Sequence, residues 1–232
     1  MVLEVGYWDI RGLGAPLRMI CEYAGVEYNA VNYTLTEKEG GGYDASDWFD
    51  KKPAYKEKNA LMNLPYVVDG DVTVTQSNAC MTYLGRKFNL NGQNDQELTK
   101  MEQCLCEVFD LRNNIVKFSY SPKETFTPEN VKTFFSTNVD KSFDKLNSWL
   151  EQQGTKFLAA DQPTVADFHF FELIDQMLVL ANREEVKQPD PLANYSKLQS
   201  YYNDFKQLPA IAKYLESDLH KLPINNKMAC FK

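Results

Sequence analysis

The chain has 232 residues and a formal net charge of −7, with 44 % apolar and 13 % aromatic residues. That is the composition of a folded protein with material for one large core or two smaller ones, and it excludes a disordered chain. No basic stripe suited to a nucleic-acid duplex is present, and no apolar run approaches the length of a membrane span.

Leu3 to Tyr7 alternates and is short, as a strand should be, and it runs into "GYWDIRG", residues 6–12. Gly12-Leu13-Gly14-Ala15-Pro16 breaks the pattern, and Pro16 suits a first helical turn, where a missing N–H costs nothing. Leu17, Ile20, Cys21 and Ala24 then recur at helical spacing, with Gly25 as the stop. Tyr28 to Tyr33 reads as a second strand. Thr34 to Met62 reads as a long irregular loop holding Gly40-Gly41-Gly42 and Lys51, Lys52, Lys56 and Lys58. The triple glycine lacks the Lys-Ser/Thr of a phosphate loop. Tyr66-Val67-Val68 and Val72-Thr73-Val74-Thr75 are β-rich runs, with Asp69-Gly70 as the hairpin turn and Pro65 at the strand start. Ser77 is placed to cap a helix through Cys80, Tyr83, Leu84 and Lys87. A parallel pair finished by an antiparallel hairpin makes a mixed four-stranded sheet.

The polar stretch Asn89–Gln96 reads as a linker between residues 1–88 and an all-helical domain, residues 97–232. Met101, Cys104 or Leu105, Val108, Leu111, Ile115 and Phe118 recur every three or four residues, as do Val131, Phe134, Phe135, Val139, Phe143, Leu146 and Leu150. Thr164-Val165-Ala166-Asp167 is a capping box, with Asp in the Glu/Gln place, before the apolar run Phe168–Leu180. Tyr195–Leu208 and Pro209–Leu219 give two further helical patterns.

The cysteines Cys21, Cys80, Cys104, Cys106 and Cys230 are odd in number and irregular in spacing. They read as small buried hydrophobes of a reduced, cytoplasmic protein, not as a disulfide framework. The residues Met1–Val5 carry no basic n-region, so no secretory signal is expected. His169 and His220 have no partner at ligand spacing, and no metal is expected.

"GYWDIRGLGAPLRMI", "NLPYVVDG" followed by "TQSNA", and "TVADF", in this order and at these separations, resemble the cytosolic glutathione transferases. The Tyr-Trp-Asp-Ile-Arg-Gly start and the late "KLP…NKMA" are most similar to the mu class. The resemblance spans nearly the whole chain. It implies an α/β thioredoxin-like domain, βαβαββα, that carries glutathione, followed by an all-helical domain that forms most of the electrophile pocket. It further implies reduced glutathione as co-substrate with no tightly bound cofactor, a small hydrophobic electrophile as second substrate, and a homodimer that engages neither nucleic acid nor membrane.

By the same resemblance, Tyr7 gives its phenolic hydrogen to the glutathione sulfur. The size of that effect is adequate. A thiol with a pKa of about 8.5 is only about 3 % thiolate at pH 7. Lowering that pKa by about 2 units requires about 2.7 kcal/mol, and a hydrogen bond to a charged group contributes roughly 1.5–3 kcal/mol. Trp8 and Leu13 line the cleft. Leu64, before Pro65 (the family's cis-proline), pairs through its backbone with the cysteinyl part. Gln76 and Ser77 hold the γ-glutamyl carboxylate, which agrees with the affinity of a helix N-terminus for anions. Trp48, Lys52 and Asn63 meet the glycine end. Asp110 reaches across a dimer to the neighbour's glutathione amine, while Tyr120 and Arg112 serve the electrophile.

The chain departs from the mu pattern in three places. Ala45 stands where an arginine is expected, the stretch from Trp48 to Asn63 is about two residues longer, and Leu61 occupies the place of the bulky aromatic that locks subunits together. Beside conjugation, the resemblance leaves open a non-catalytic carrier of apolar ligands, and an isomerase or peroxidase on the same site.

Overall fold

In a computed structural model that describes residues 2–232, strand β1 (Leu3–Trp8) is an inner strand of a four-stranded sheet of order β2-β1-β5-β6. The pleat places Leu3, Val5 and Tyr7 on one face of β1 and Glu4, Gly6 and Trp8 on the other. Helix α1 (Gly14–Ala24) is the crossover to the parallel strand β2 (Tyr28–Tyr33), in register from Leu3↔Tyr28 to Trp8↔Tyr33. It ends at Gly25, which at φ 66° closes the last turn through Cys21 and Glu22 carbonyls. β5 (Tyr66–Asp69) lies antiparallel to β1, and β6 (Val72–Thr75) follows as a hairpin. The register pairs Asp69 with Val72, so the loop is Gly70-Asp71, one residue later than Asp69-Gly70. Gly70, at φ 62°, takes the first loop position, where a left-handed residue is required.

The stretch 34–62 is not an irregular loop. β3 (Thr36–Glu37) and β4 (Tyr43–Asp44) form a small ribbon turned at Gly40–Gly42, and two short helices follow, α2 (Ser46–Phe49) and α3 (Lys52–Lys58). Local acceptors fix the entry to α2: Asp44 accepts from the Ser46 N–H and Asp47 from the Thr34 N–H, both at 2.8 Å. Such brief elements carry too few turns to show a period, which hides them in the sequence. Helix α4 (Ser77–Phe88) packs on α1, and its buried Cys80 and Leu84 join Val5, Leu17, Ile20 and Val67 in the core.

The second unit comprises residues 89–208 and 229–231. Its spine is α5 (Asp95–Ser119), whose Asn94 cap already lies within the expected linker and accepts from the Glu97 N–H. The periodic run 131–150 is two helices, α6 (Pro128–Phe134) and α7 (Asp140–Gln153), joined by a π-helical turn over Phe135–Val139. α8 (Val165–Ala181) is buried on nearly every side, as a central helix must be, and α9 (Ser196–Lys206) packs against it and α7.

Residues 209–228 group with the first unit, although their period reads as one more helix of the second. α10 (Pro209–Leu215) packs on α1, and the carbonyls of Pro223 and Ile224 accept from the Arg11 and Gly12 N–H groups at 2.8 and 3.1 Å. An amphipathic period shows that a helix has a buried face, not which partner covers it. Cys106 is exposed, unlike the buried Cys21, Cys80 and Cys104, because residues two apart on α5 face opposite ways. Among the described residues no helix is long and apolar enough to cross a membrane.

The capping box of α8 is buried and complete. Asp167 accepts from the Leu158 N–H (2.9 Å), the Thr164 N–H (2.7 Å) and the Thr164 hydroxyl (2.8 Å). Asp167→Ala strands three buried donors, so the expected loss of stability is about 3 kcal/mol or more. Urea unfolding of both proteins measures it, and a difference below about 1 kcal/mol would show that the box is dispensable.

Candidate functional site

Tyr7 is buried at the end of β1 in a small cluster with Ile10 and Leu13, against which Trp8 and Leu64 pack. Its ring lies on the turn that follows. A Cβ on Gly12 would fall 2.8 Å from Cε1 and 3.0 Å from the hydroxyl of Tyr7, and one on Gly14 would fall 2.9 Å from Cδ1. Gly12 also has φ 36°, so only glycine suits it on both counts. The two glycines are the seat of the ring, and the hydroxyl is held beside Gly12.

Beneath this turn lies Arg18, with no exposed surface. Its guanidinium donates to the Ile10 carbonyl (2.9 Å), the Asn32 Oδ1 (2.8 Å) and, at 3.5 Å, the Trp8 carbonyl. It thereby ties the Trp8–Ile10 segment to β2, and its Cζ lies 3.0 Å from where a Gly14 Cβ would be. Arg18 escaped the sequence reading. An arginine that shares the apolar side of α1 with Cys21, three residues on, was the available signal.

The second wall of the site is the segment 63–65. The Leu64–Pro65 bond is cis. Thr75, also missed, donates its hydroxyl to the Asn63 carbonyl (2.7 Å) and accepts from the Asn63 N–H (3.1 Å). Neither backbone group of Leu64 has a hydrogen-bond partner among the described residues. Directly after Thr75, Gln76 adopts φ 74°, in the left-handed region. Such an outlier in a non-glycine residue marks a position that the surroundings over-determine. The Gln76 carbonyl accepts from the Cys80 N–H at 2.8 Å, so Gln76 holds the cap position expected of Ser77, which is instead the first residue of α4 and is buried. The free N–H groups of α4 and their dipole end here.

The third wall comes from α2 and α3. Trp48 is only 1 % exposed and stacks among Tyr33, Tyr55 and Tyr66, so its ring is mainly core. Lys51 is paired with Asp47 at 2.7 Å. Lys52 has no carboxylate partner among the described residues; it lies 5.8 Å over the Trp48 ring and donates to Asn63 Oδ1 at 3.3 Å. Of the two adjacent lysines, Lys52 is the one whose charge is available to an anion. Ala45 supplies no positive charge, and Leu61 is 71 % exposed.

In the second unit, Asp110 is exposed on α5, where it borders an open groove of about 580 Å³ lined also by Glu107, Lys145 and Trp149. Arg112 donates to Asn113 Oδ1 and sits 5.9 Å over the Phe109 ring. Tyr120 caps the C-terminal end of α5. The Cys230 N–H donates to the Ser119 carbonyl at 2.8 Å and so docks residues 229–231 beside that cap.

Two family models match the chain: the N-terminal domain of glutathione S-transferases over residues 3–86, and their C-terminal domain over residues 109–218. The chain is 32 % identical to human glutathione S-transferase Mu 3 over 98 % of its length and 94 % of that protein's, and 31 % identical to mouse glutathione S-transferase Mu 1 over 99 % and 98 %. The chain belongs to the glutathione S-transferase family. Its fold is also that of the glutathione S-transferase Blo t 8 (TM-score 0.81, 24 % identity, 98 % of this chain and 99 % of that one). The same holds for a Pi-class glutathione S-transferase of Onchocerca volvulus (TM-score 0.80, 24 % identity, 99 % and 100 %).

The seat of Tyr7 in this glutathione S-transferase is testable. Gly14 has ordinary backbone angles, so Gly14→Ala adds only a methyl, which Tyr7 and Arg18 must make room for. Both are buried, and the expected cost is about 1–3 kcal/mol of stability, with lowered activity. Full activity at unchanged melting temperature would show that the ring yields freely.

His169, on α8, is buried with neither ring nitrogen hydrogen-bonded, and burial, aided by the Arg112 charge, pushes its pKa down to about 3. A depressed folded pKa contributes stability above the unfolded value near 6.5 and loses it as pH falls toward the folded value. Between pH 6.5 and pH 5 the loss is about 1.5 kcal/mol. His169→Leu should flatten the stability curve by that amount across this interval, measured by urea unfolding. Parallel curves would contradict the assignment.

Proposed function

We propose that this chain joins the sulfur of reduced glutathione to the electrophilic carbon of small hydrophobic compounds, giving a thioether. The observation that carries this reading is the Tyr7 hydroxyl, held beside Gly12 at the end of β1 in a chain of this family. The thiol proton leaves to solvent, Tyr7 keeps its own proton, and its O–H donates to the thiolate, which is the nucleophile. Trp8 and Leu13 flank the sulfur. The unpaired Leu64 backbone meets the cysteinyl amide. Gln76 and Ser77, at the start of α4, receive the γ-glutamyl carboxylate. Lys52 and Asn63 receive the glycine carboxylate, and the buried Trp48 ring supports Lys52 from beneath. Arg112 and Tyr120 serve the electrophile, whose leaving group or opened oxygen a second hydroxyl can stabilise. Glutathione is a co-substrate here, and no resident cofactor has a part in the chemistry.

The test is a rate with glutathione and a chloronitrobenzene. Tyr7→Phe should lower kcat at least 10-fold, about 1.4 kcal/mol, with little change in glutathione affinity. Unchanged turnover would remove Tyr7 from the mechanism. Quenching of tryptophan emission by apolar ligands without any turnover in the wild type would instead favour a carrier.

We propose a homodimer, with the exposed Leu61 as an apolar contact and Asp110 reaching the neighbour's glutathione. Leu61→Glu should shift the chain toward monomer in sedimentation velocity at micromolar concentration. Two unchanged boundaries would exclude Leu61 from the contact.

A further inference from the structure

The other face of β1 carries a partly buried cluster of hydroxyls around one carboxylate. Glu4 lies on the face of β1 opposite Leu3, Val5 and Tyr7, and its Oε1 is met by the hydroxyls of Tyr66 (2.6 Å) and Tyr55 (3.2 Å). The Tyr66 hydroxyl is also 2.8 Å from those of Tyr33 and Tyr55. Each hydroxyl has one hydrogen: that of Tyr66 faces both Glu4 and the Tyr55 oxygen, that of Tyr55 goes to Glu4, and that of Tyr33 goes to Tyr66. Gly6 makes this possible: a Cβ there would fall 2.1 Å from the Tyr66 ring. Burial holds the Tyr66 phenol far above its usual range, so it remains a donor.

The network reaches the glutathione site through α3. That helix has seven residues, none of them buried, and a helix so short does not persist by itself. Two side chains fasten it. Asn59, just past its end, donates to the Thr73 carbonyl at 3.0 Å. Tyr55, in its middle, packs on Tyr66 at 4.8 Å between ring centres and donates to Glu4. Lys52 is one turn before Tyr55 on the same helix, and Trp48, on which Lys52 lies, stacks on Tyr66 and Tyr55.

We propose that Glu4 is a positioning residue for glutathione: through the hydroxyls of Tyr66 and Tyr55 it fastens α3 to β1 and so holds Lys52 where it meets the carboxylate of the peptide's glycine end. The inference rests on the function proposed above. It concerns binding and not the activation of sulfur, so the network acts on KM and leaves kcat alone. The negative charge of Glu4 does not itself favour an anion; what matters is an acceptor for two phenols. Glutamine supplies that acceptor and leucine does not.

Steady-state kinetics with glutathione as the varied substrate test this, alongside hydrogen exchange of the α3 amides. Glu4→Leu and Tyr55→Phe should each raise KM for glutathione at least 5-fold with kcat within 2-fold of wild type. Exchange over residues 52–58 should quicken at least 10-fold, with α4 unaffected. Glu4→Gln should restore KM to within 2-fold. Should Glu4→Leu fail to fold, Tyr55→Phe, which keeps the ring, decides alone. Wild-type KM in both disruptive variants overturns the role of Glu4 while leaving the function standing, as does a KM in Glu4→Gln as poor as in Glu4→Leu. A wild type that neither binds nor turns over glutathione overturns the function, and with it this inference.

Discussion

The contact on which the site depends is the seating of one aromatic ring against two residues without side chains. Tyr7 must end a central strand and still present its hydroxyl at an edge. That is possible because Gly12 and Gly14 leave space where any Cβ would lie inside van der Waals distance of the ring. Arg18 completes the seat from below, binding the segment between ring and turn by its carbonyls. A buried guanidinium held only by neutral oxygens, with its Nε left without a partner, is costly to fold around, and it lies directly beneath the Tyr7 turn.

In the proposed function three elements of the first unit serve as anion or amide receptors. The α4 N-terminus, the bare backbone of Leu64 and the ammonium of Lys52 differ in chemistry and lie on different elements, each anchored separately. Thr75 anchors the second and the phenol network of Glu4 the third. For the proposed function, rigidity in such supports matters because the ordering cost then falls on folding instead of binding.

Much of this was legible in the chain. The alternation of Leu3–Tyr7, the hairpin around Gly70 and the long helical periods each state a local geometry, and the structure has them, with β5–β6 shifted by a single turn residue. What stayed hidden depends on partners distant in sequence. The segment 34–62 folds because Trp48 finds three tyrosines, and no local period announces that. α10 looks like any amphipathic helix until α1 covers it. Among the candidate residues, spacing from Trp48 favours Lys52 over Lys51 in the sequence, and the pairing of Lys51 with Asp47 adds a reason that the sequence does not show. The α4 cap falls on Gln76 and not on the expected Ser77, and the left-handed conformation of Gln76 has no signature in composition. Arg18, Thr75 and Glu4 act through other residues, and such residues carry no motif of their own.

The central claim is that a phenolic hydrogen at the end of β1 keeps a bound thiol ionised. A crystal structure with glutathione bound addresses it most directly. The account predicts the glutathione sulfur within about 3.5 Å of the Tyr7 hydroxyl oxygen, in line with its O–H bond. A sulfur that lies instead beyond hydrogen-bond reach of that oxygen, with the peptide otherwise ordered, would contradict it.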